Sequence, residues 1–248
     1  ATGSMSITDA LYTLCMDDAK VMVAGGSEAV VHRIGIGGFN SMRALSRKGL
    51  KPERISRPFD KKADGFVMAE GAAVLILEKL EHAEKRGARI HAEIVGYGNT
   101  SDAFHDTVPS GEGAVRAMKI ALRKADLKPE DVDYINAHGT STVVGDGKEL
   151  DALSEVFGKN LKRISVGSTK SATGHMLGAA GAIEAIFCIK AIEKGIVPPT
   201  LNLRYPIRPG LDLVKGKAKQ REVNVAMSNS FGFGGINSVL IFKKFERG

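Results

Sequence analysis

Two histidines in small-residue settings, Asn136-Ala-His138-Gly-Thr140-Ser-Thr142 and Lys170-Ser-Ala-Thr-Gly-His175, are the side chains of this 248-residue chain best suited to chemistry. The glycine beside each ring admits close approach of backbone or substrate, and a neutral imidazole donates a hydrogen bond to a carbonyl oxygen. Thr140 and Thr142 suit an amide-bearing substrate arm. The competing readings are a histidine that closes a turn at 138 and a helix-terminal histidine bonded to backbone at 175.

Further groups gather around these two. Lys170 stands five residues before His175, a spacing that suits an electrostatic role, against the default of a surface lysine. Glu184 falls on an otherwise apolar helix face of Ala179, Ala180, Ala182, Ile183, Ile186 and Phe187. A carboxylate buried there needs a partner, which Lys170 or a histidine supplies; the alternative is a partly exposed glutamate. Phe231-Gly232-Phe233-Gly234-Gly235 reads as a gate whose N–H groups face an oxyanion, because the lysine and serine of a phosphate loop do not follow it. Cys15, close to Asp17 and Asp18, and Cys188, on an apolar helix, are expected in the core rather than as nucleophiles. Covalent catalysis therefore requires an attacking group from outside this chain.

The elements that must position these groups alternate between strand and helix. A helical pattern opens at Met5, Ile7, Leu11 and Leu14, and strands are expected at 20–26, 72–77, 90–99, 132–136, 164–167, 223–228 and 238–242. Helices are expected at 39–46, after 77 to near Gly87, at 113–125, at 148–157, and at 174–193 with His175 in its first turn. In that position the macrodipole would keep the ring neutral. His138 then sits on a loop at a strand's end, where α/β folds place chemistry. Ala1-Thr-Gly-Ser-Met5 recurs as Ala172-Thr-Gly-His-Met176, which suggests two related halves.

Composition sets the class. With 43% hydrophobic and 25% charged residues the chain reads as globular, as one domain or two closely packed halves. No run reaches the roughly 18 apolar residues of a membrane span, so a soluble, cytoplasmic protein is expected. The two cysteines form no disulfide framework and no metal-ligand spacing. The net charge of +7 is scattered, without arginine-rich runs interleaved with aromatics, which argues against nucleic acid and for an acidic protein partner.

The segments 136–142, Ser168-Thr-Lys-Ser-Ala-Thr-Gly-His175 and Asn229-Ser-Phe-Gly-Phe-Gly-Gly235 together resemble the elongating β-ketoacyl-[acyl-carrier-protein] synthases, in particular those of the bacterial synthase II type. The resemblance extends through Val23-Ala-Gly-Gly26, Ser56-Arg-Pro-Phe-Asp60, Asp64-Gly-Phe-Val67 and Pro198-Pro-Thr-Leu-Asn202. It implies a thiolase-like, duplicated α/β/α/β/α sandwich, incomplete here, with 1–90 as the remainder of the N-terminal half and 91–248 as the C-terminal half. In that family the nucleophilic cysteine precedes the Ala-Thr-Gly that opens this chain, so the polypeptide as given is expected to lack its thiol and to be inactive alone.

For the complete protein the resemblance implies a ping-pong decarboxylative Claisen condensation in fatty-acid elongation, with acyl- and malonyl-acyl carrier protein as partners, a homodimer, and no metal or nucleotide cofactor. His138 and His175 would support decarboxylation and the enolate, with Lys170 and Glu184 holding the network. Thr140 and Thr142 would contact phosphopantetheine. Phe233 would gate the acyl pocket and its N–H serve the oxyanion, with Phe231 beside it and Phe39 on the pocket wall. The loop around Asp102 would move with the gate, and Arg43 would meet the carrier protein. Ile236 stands where the family commonly has threonine. The open alternatives are a noncatalytic chain-length-determining subunit, a polyketide ketosynthase, and a zinc hydrolase using the two histidines.

Overall fold

A computed structural model describes residues 1–49 and 51–247. Its centre is a five-stranded mixed sheet of order β3-β9-β8-β4-β5, built from β3 (Glu93–Ser101), β4 (Tyr134–Asn136), β5 (Ser165–Gly167), β8 (Val225–Gly232) and β9 (Ile236–Lys243). β4 runs parallel to both β5 and β8, while β8–β9 and β3–β9 are antiparallel. Three parallel strands thus end on the same edge of the sheet, and the segments that follow them carry His138, Lys170 and Phe233. That edge is where open α/β sheets form their sites.

Alternation along the strands divides the core in two. On β9, Val239 and Ile241 join a cluster with Ala117, Met118 and Ala121 of α4 (Glu112–Lys124) and Leu150 and Leu153 of α5 (Val143–Phe157). Leu240 and Phe242 face the opposite side, against Ile7 and Leu14 of α1 (Thr2–Cys15) and Ala185 and Ile192 of α7 (Ala180–Lys194). Helices therefore cover both faces, a mixed α/β arrangement. β1 (Val21–Glu28) and β2 (Gly71–Glu78) form a separate antiparallel ribbon, with α2 (Arg33–Ser41) between them and α3 (Leu80–Lys85) after β2. A short ribbon of β6 (Ile196–Val197) and β7 (Lys219–Gln220) flanks the irregular connection that leads to β8. Among the described residues no helix is long and apolar enough to cross a membrane.

Three expectations are corrected. The helix expected at 39–46 is α2, which begins at Arg33 because His32 Nδ1 caps it, accepting from the Gly35 N–H at 3.3 Å, and which stops before Arg43, at φ +55°. α5 starts at Val143 rather than 148. The long helix expected from 174 is broken into α6 (Lys170–Thr173) and α7, because Gly174 takes φ +69° and His175 is extended, bridging Met68 in parallel. The two copies of the Ala-Thr-Gly pattern consequently differ in setting: the first opens α1, and the second closes α6.

Candidate active site

His138 lies two residues past β4. At Gly139 the backbone has φ +31°, and a Cβ would stand 2.6 Å from Ser168 Cβ and 2.9 Å from Phe59 Cζ, so the turn strongly favours glycine. Two buried carboxylates of α5 hold this loop. Glu149 accepts from the N–H groups of His138 and Gly139, each at 2.8 Å, and from Asn229 Nδ2 at 3.2 Å. Asp146 accepts from the N–H groups of Phe59 at 2.7 Å and Ser141 at 3.1 Å. Burial pushes the Asp146 carboxyl up to about 7 and that of Glu149 upward, against these donors. Neither acid is among the candidate residues that the motifs mark. The available signal is two acids three apart at the start of a helix that directly follows the histidine loop, a spacing that places both on one face.

His175 sits between two helices rather than in the first turn of one, so the macrodipole argument does not apply to it. Its backbone is stitched to the 67–69 segment by His175 N–H to Val67 O at 2.7 Å and Ala69 N–H to His175 O at 3.0 Å. The Leu177 N–H donates to His175 Nδ1 at 3.2 Å, which places the ring proton on Nε2. Burial, and then the positive charge of Lys170, lowers the pKa of His175 well below the ordinary imidazole range. The same two causes, in the same order, act on His138, with His175 adding a smaller effect. The two ring centroids are 5.5 Å apart and nearly perpendicular. Two imidazoles with lowered pKa values therefore stand side by side on one cavity wall, an arrangement compatible with donation to a developing oxyanion.

Lys170 and Glu184 form an ion pair with both side chains only 2% exposed, so Lys170 is the partner that the buried carboxylate requires. Burial still pushes Glu184 up to about 7. The hydroxyls of Thr140 and Thr142 are 2.9 Å apart and bond one another.

His138, Thr140, Thr142, Glu149 and His175 line a cavity of about 760 Å³ that also includes Ala1, Thr2, Met5, Glu28, Phe39, Arg43, Asp102, Phe231 and Phe233, while Lys170 and Glu184 lie behind its wall. An aromatic series crosses it: Phe233 stacks on Phe39 at 6.1 Å, Phe39 meets Phe66 edge-on at 5.5 Å, and Phe66 meets His175 at 5.1 Å. Phe231 lies 5.9 Å from His138. The glycine loop and the Asp102 loop are joined by Gly234 N–H to Asp106 O at 2.7 Å, Asp102 N–H to Gly235 O at 2.8 Å, and Asn237 Nδ2 to Asp102 Oδ1 at 2.7 Å.

Neither cysteine lines the cavity. Cys188 is buried as expected, and burial raises its pKa. Cys15 is exposed, not in the core, because it is the last residue of α1 and lies on the solvent side. Among the described residues no group of three or more His, Cys, Asp or Glu side chains stands at ligating positions, so the zinc-hydrolase alternative lacks a donor set.

The pattern of the β-ketoacyl synthase N-terminal domain matches residues 1–83, and that of the β-ketoacyl synthase C-terminal domain matches residues 91–204. The 3-oxoacyl-[acyl-carrier-protein] synthase 2 of Rhizobium meliloti (strain 1021) is 53% identical over 99% of this chain and 59% of its own length. A β-ketoacyl synthase structure from Burkholderia phymatum STM815 superposes with a TM-score of 0.93 at 42% identity, over 98% of this chain and 59% of its own. A type II PKS ketosynthase, solved in complex with its acyl-carrier protein and bound to the hexaketide, superposes with a TM-score of 0.94 at 38% identity, over 98% of this chain and 61% of its own. The chain spans about 60% of the length of the curated relatives it matches. With both domain patterns matched and the same fold in these structures, the chain belongs to the β-ketoacyl synthase family.

Proposed function

We propose that the complete protein carries out decarboxylative Claisen condensation in fatty-acid elongation, as a 3-oxoacyl-[acyl-carrier-protein] synthase of the synthase II type. The observation that carries this reading is the pair of imidazoles 5.5 Å apart with pKa values held down by burial and by Lys170, in one cavity with the start of α1 and the Phe233 loop.

In this reading a cysteine preceding Ala1 attacks an acyl-carrier thioester; the acyl carbon bonds to its sulfur and the carrier thiol leaves. Malonyl-carrier protein then enters. Its carbon–carboxylate bond breaks, carbon dioxide departs, and the electron pair spreads onto the thioester oxygen, where Nε2–H groups of His138 and His175 receive it. The resulting carbanion attacks the enzyme-bound acyl carbonyl, a carbon–carbon bond forms, and the thiolate is released. The Phe233 N–H serves the oxyanion of these acyl transfers, and Phe233 with Phe39 and Phe231 forms the gate of the acyl pocket. Thr140 and Thr142 exchange their mutual hydrogen bond for contacts to the phosphopantetheine arm. Lys170, paired with Glu184, keeps both rings neutral. Arg43 meets an acidic carrier protein and the Asp102 loop moves with the gate. The chain divides near residue 90, and the protein acts as a cytoplasmic homodimer.

The test is made on the full-length protein with acyl- and malonyl-loaded acyl carrier protein. Intact mass is expected to show an acyl adduct that maps immediately before Ala1, and product analysis a 3-oxoacyl chain two carbons longer. A protein that binds carrier protein yet never acylates is the noncatalytic chain-length-determining subunit instead.

A further inference from the structure

We propose that Glu28, at the end of β1, is a positioning residue that fixes the tautomer of His175 through the turn at Leu177 and Gly178; the inference rests on the condensing role given to His175 above. Glu28 Oε2 accepts from the Gly178 N–H at 3.1 Å, across 150 residues of sequence. The neighbouring amide, Leu177 N–H, is the one that donates to His175 Nδ1.

Leu177 has φ +42°, a left-handed conformation that residues with a Cβ rarely adopt. Such a backbone persists only where its surroundings impose it, and it tends to occur where function needs it. Glu28 and its strand supply that imposition. The Glu28 carboxylate anchors the amide after Leu177, and an acceptor that carries charge makes this the stronger kind of hydrogen bond. The backbone of β1 closes the other side, since a Cβ at Gly26 would stand 2.5 Å from Gly178 O. Without the carboxylate acceptor, Leu177 is free to relax toward a right-handed or extended conformation. Its N–H then turns away from Nδ1, and the ring is free to carry its proton there instead of on Nε2. A ring with Nε2 unprotonated cannot donate to an enolate oxygen. Glu28 also lines the cavity, so this support is built into the wall of the site.

The test uses the full-length protein labelled with ¹⁵N-histidine, with the His175 signals assigned by their loss in H175N. Wild type is expected to show Nδ1 unprotonated and Nε2 protonated. E28A is expected to show a mixture of tautomers and a condensation kcat lower by about tenfold or more, with KM for malonyl-carrier protein within about twofold. E28Q keeps an oxygen able to accept from the Gly178 N–H, and is expected to restore the wild-type ¹⁵N pattern and a kcat within about threefold of wild type. Should E28A fail to fold, E28M, of similar size but with no oxygen acceptor, replaces it in the comparison. A wild-type His175 pattern in E28A or E28M overturns the inference, as does a fall in kcat with no change of tautomer. Absence of condensation by the wild-type protein would defeat the functional reading, while the tautomer comparison would still decide the role of Glu28.

Discussion

The Lys170 ammonium and the Glu184 carboxylate meet as an ion pair in which each side chain is 2% exposed, at the point where the loop after β5 packs on α7. Removing either partner leaves the other buried without the group it pairs with. K170A is expected to lower unfolding free energy by about 3–5 kcal/mol, measured by chemical denaturation of the full-length protein. Because the charge of Lys170 depresses both imidazoles, the same variant should raise the pKa values of His138 and His175, read by NMR titration. Unchanged imidazole titrations would contradict this electrostatic account.

Asp146 gives stability a pH dependence of definite sign. Its carboxyl is raised from an ordinary 3.8 to about 7 in the folded chain, chiefly by burial. Between those pH values the folded state binds the extra proton, so stability should fall as pH rises, at about 1.4 kcal/mol per pH unit, and level off above the folded pKa. D146N cannot titrate. The stability difference between wild type and D146N should therefore decline through that window, and a difference independent of pH would show that Asp146 is ionised throughout.

Replacing either histidine separates the two half-reactions. H138A and H175A are each expected to slow malonyl decarboxylation by about 10²-fold or more while the thiol still acylates from acyl-carrier protein. Radiolabelled carbon dioxide release and intact mass measure the two steps independently. Loss of acylation in both variants would place the imidazoles in the first step instead.

Gly139 is the tightest constraint on the His138 loop. G139A forces a Cβ toward Ser168 and Phe59 on a backbone at φ +31°, and is expected to cost about 1–3 kcal/mol and to displace the ring. Thermal unfolding and decarboxylation rate should fall together. A G139A protein with native stability and rate would mean that the loop readily adopts another path.

Much of this arrangement is legible in the residues themselves. The apolar run at 238–242 and the glycine-flanked His138 at the end of a strand are local patterns, and they identify a central strand and one side of the site. What is not legible depends on contacts distant in the chain. His175 reads as the start of a helix because Ala179, Ala182 and Ile186 repeat at helical spacing, yet the 67–69 segment captures its backbone and holds it extended. His32 caps α2 so that the helix starts six residues ahead of the expected position, through a side-chain bond that composition does not reveal. Asp146 and Glu149 look like ordinary surface acids of a polar helix end until the fold closes Phe59 and Asn229 over them.

β8 and β9 remain paired up to Gly232 and Ile236, so only Phe233, Gly234 and Gly235 lie between the last rungs of their ladder. If the ring of Phe233 serves as the doorway proposed above, so short a hinge lets the frame set its swing, and trimming that ring or the Phe39 ring stacked against it is the route to a wider range of guests, since lengthening the hinge would pull both jambs out of true.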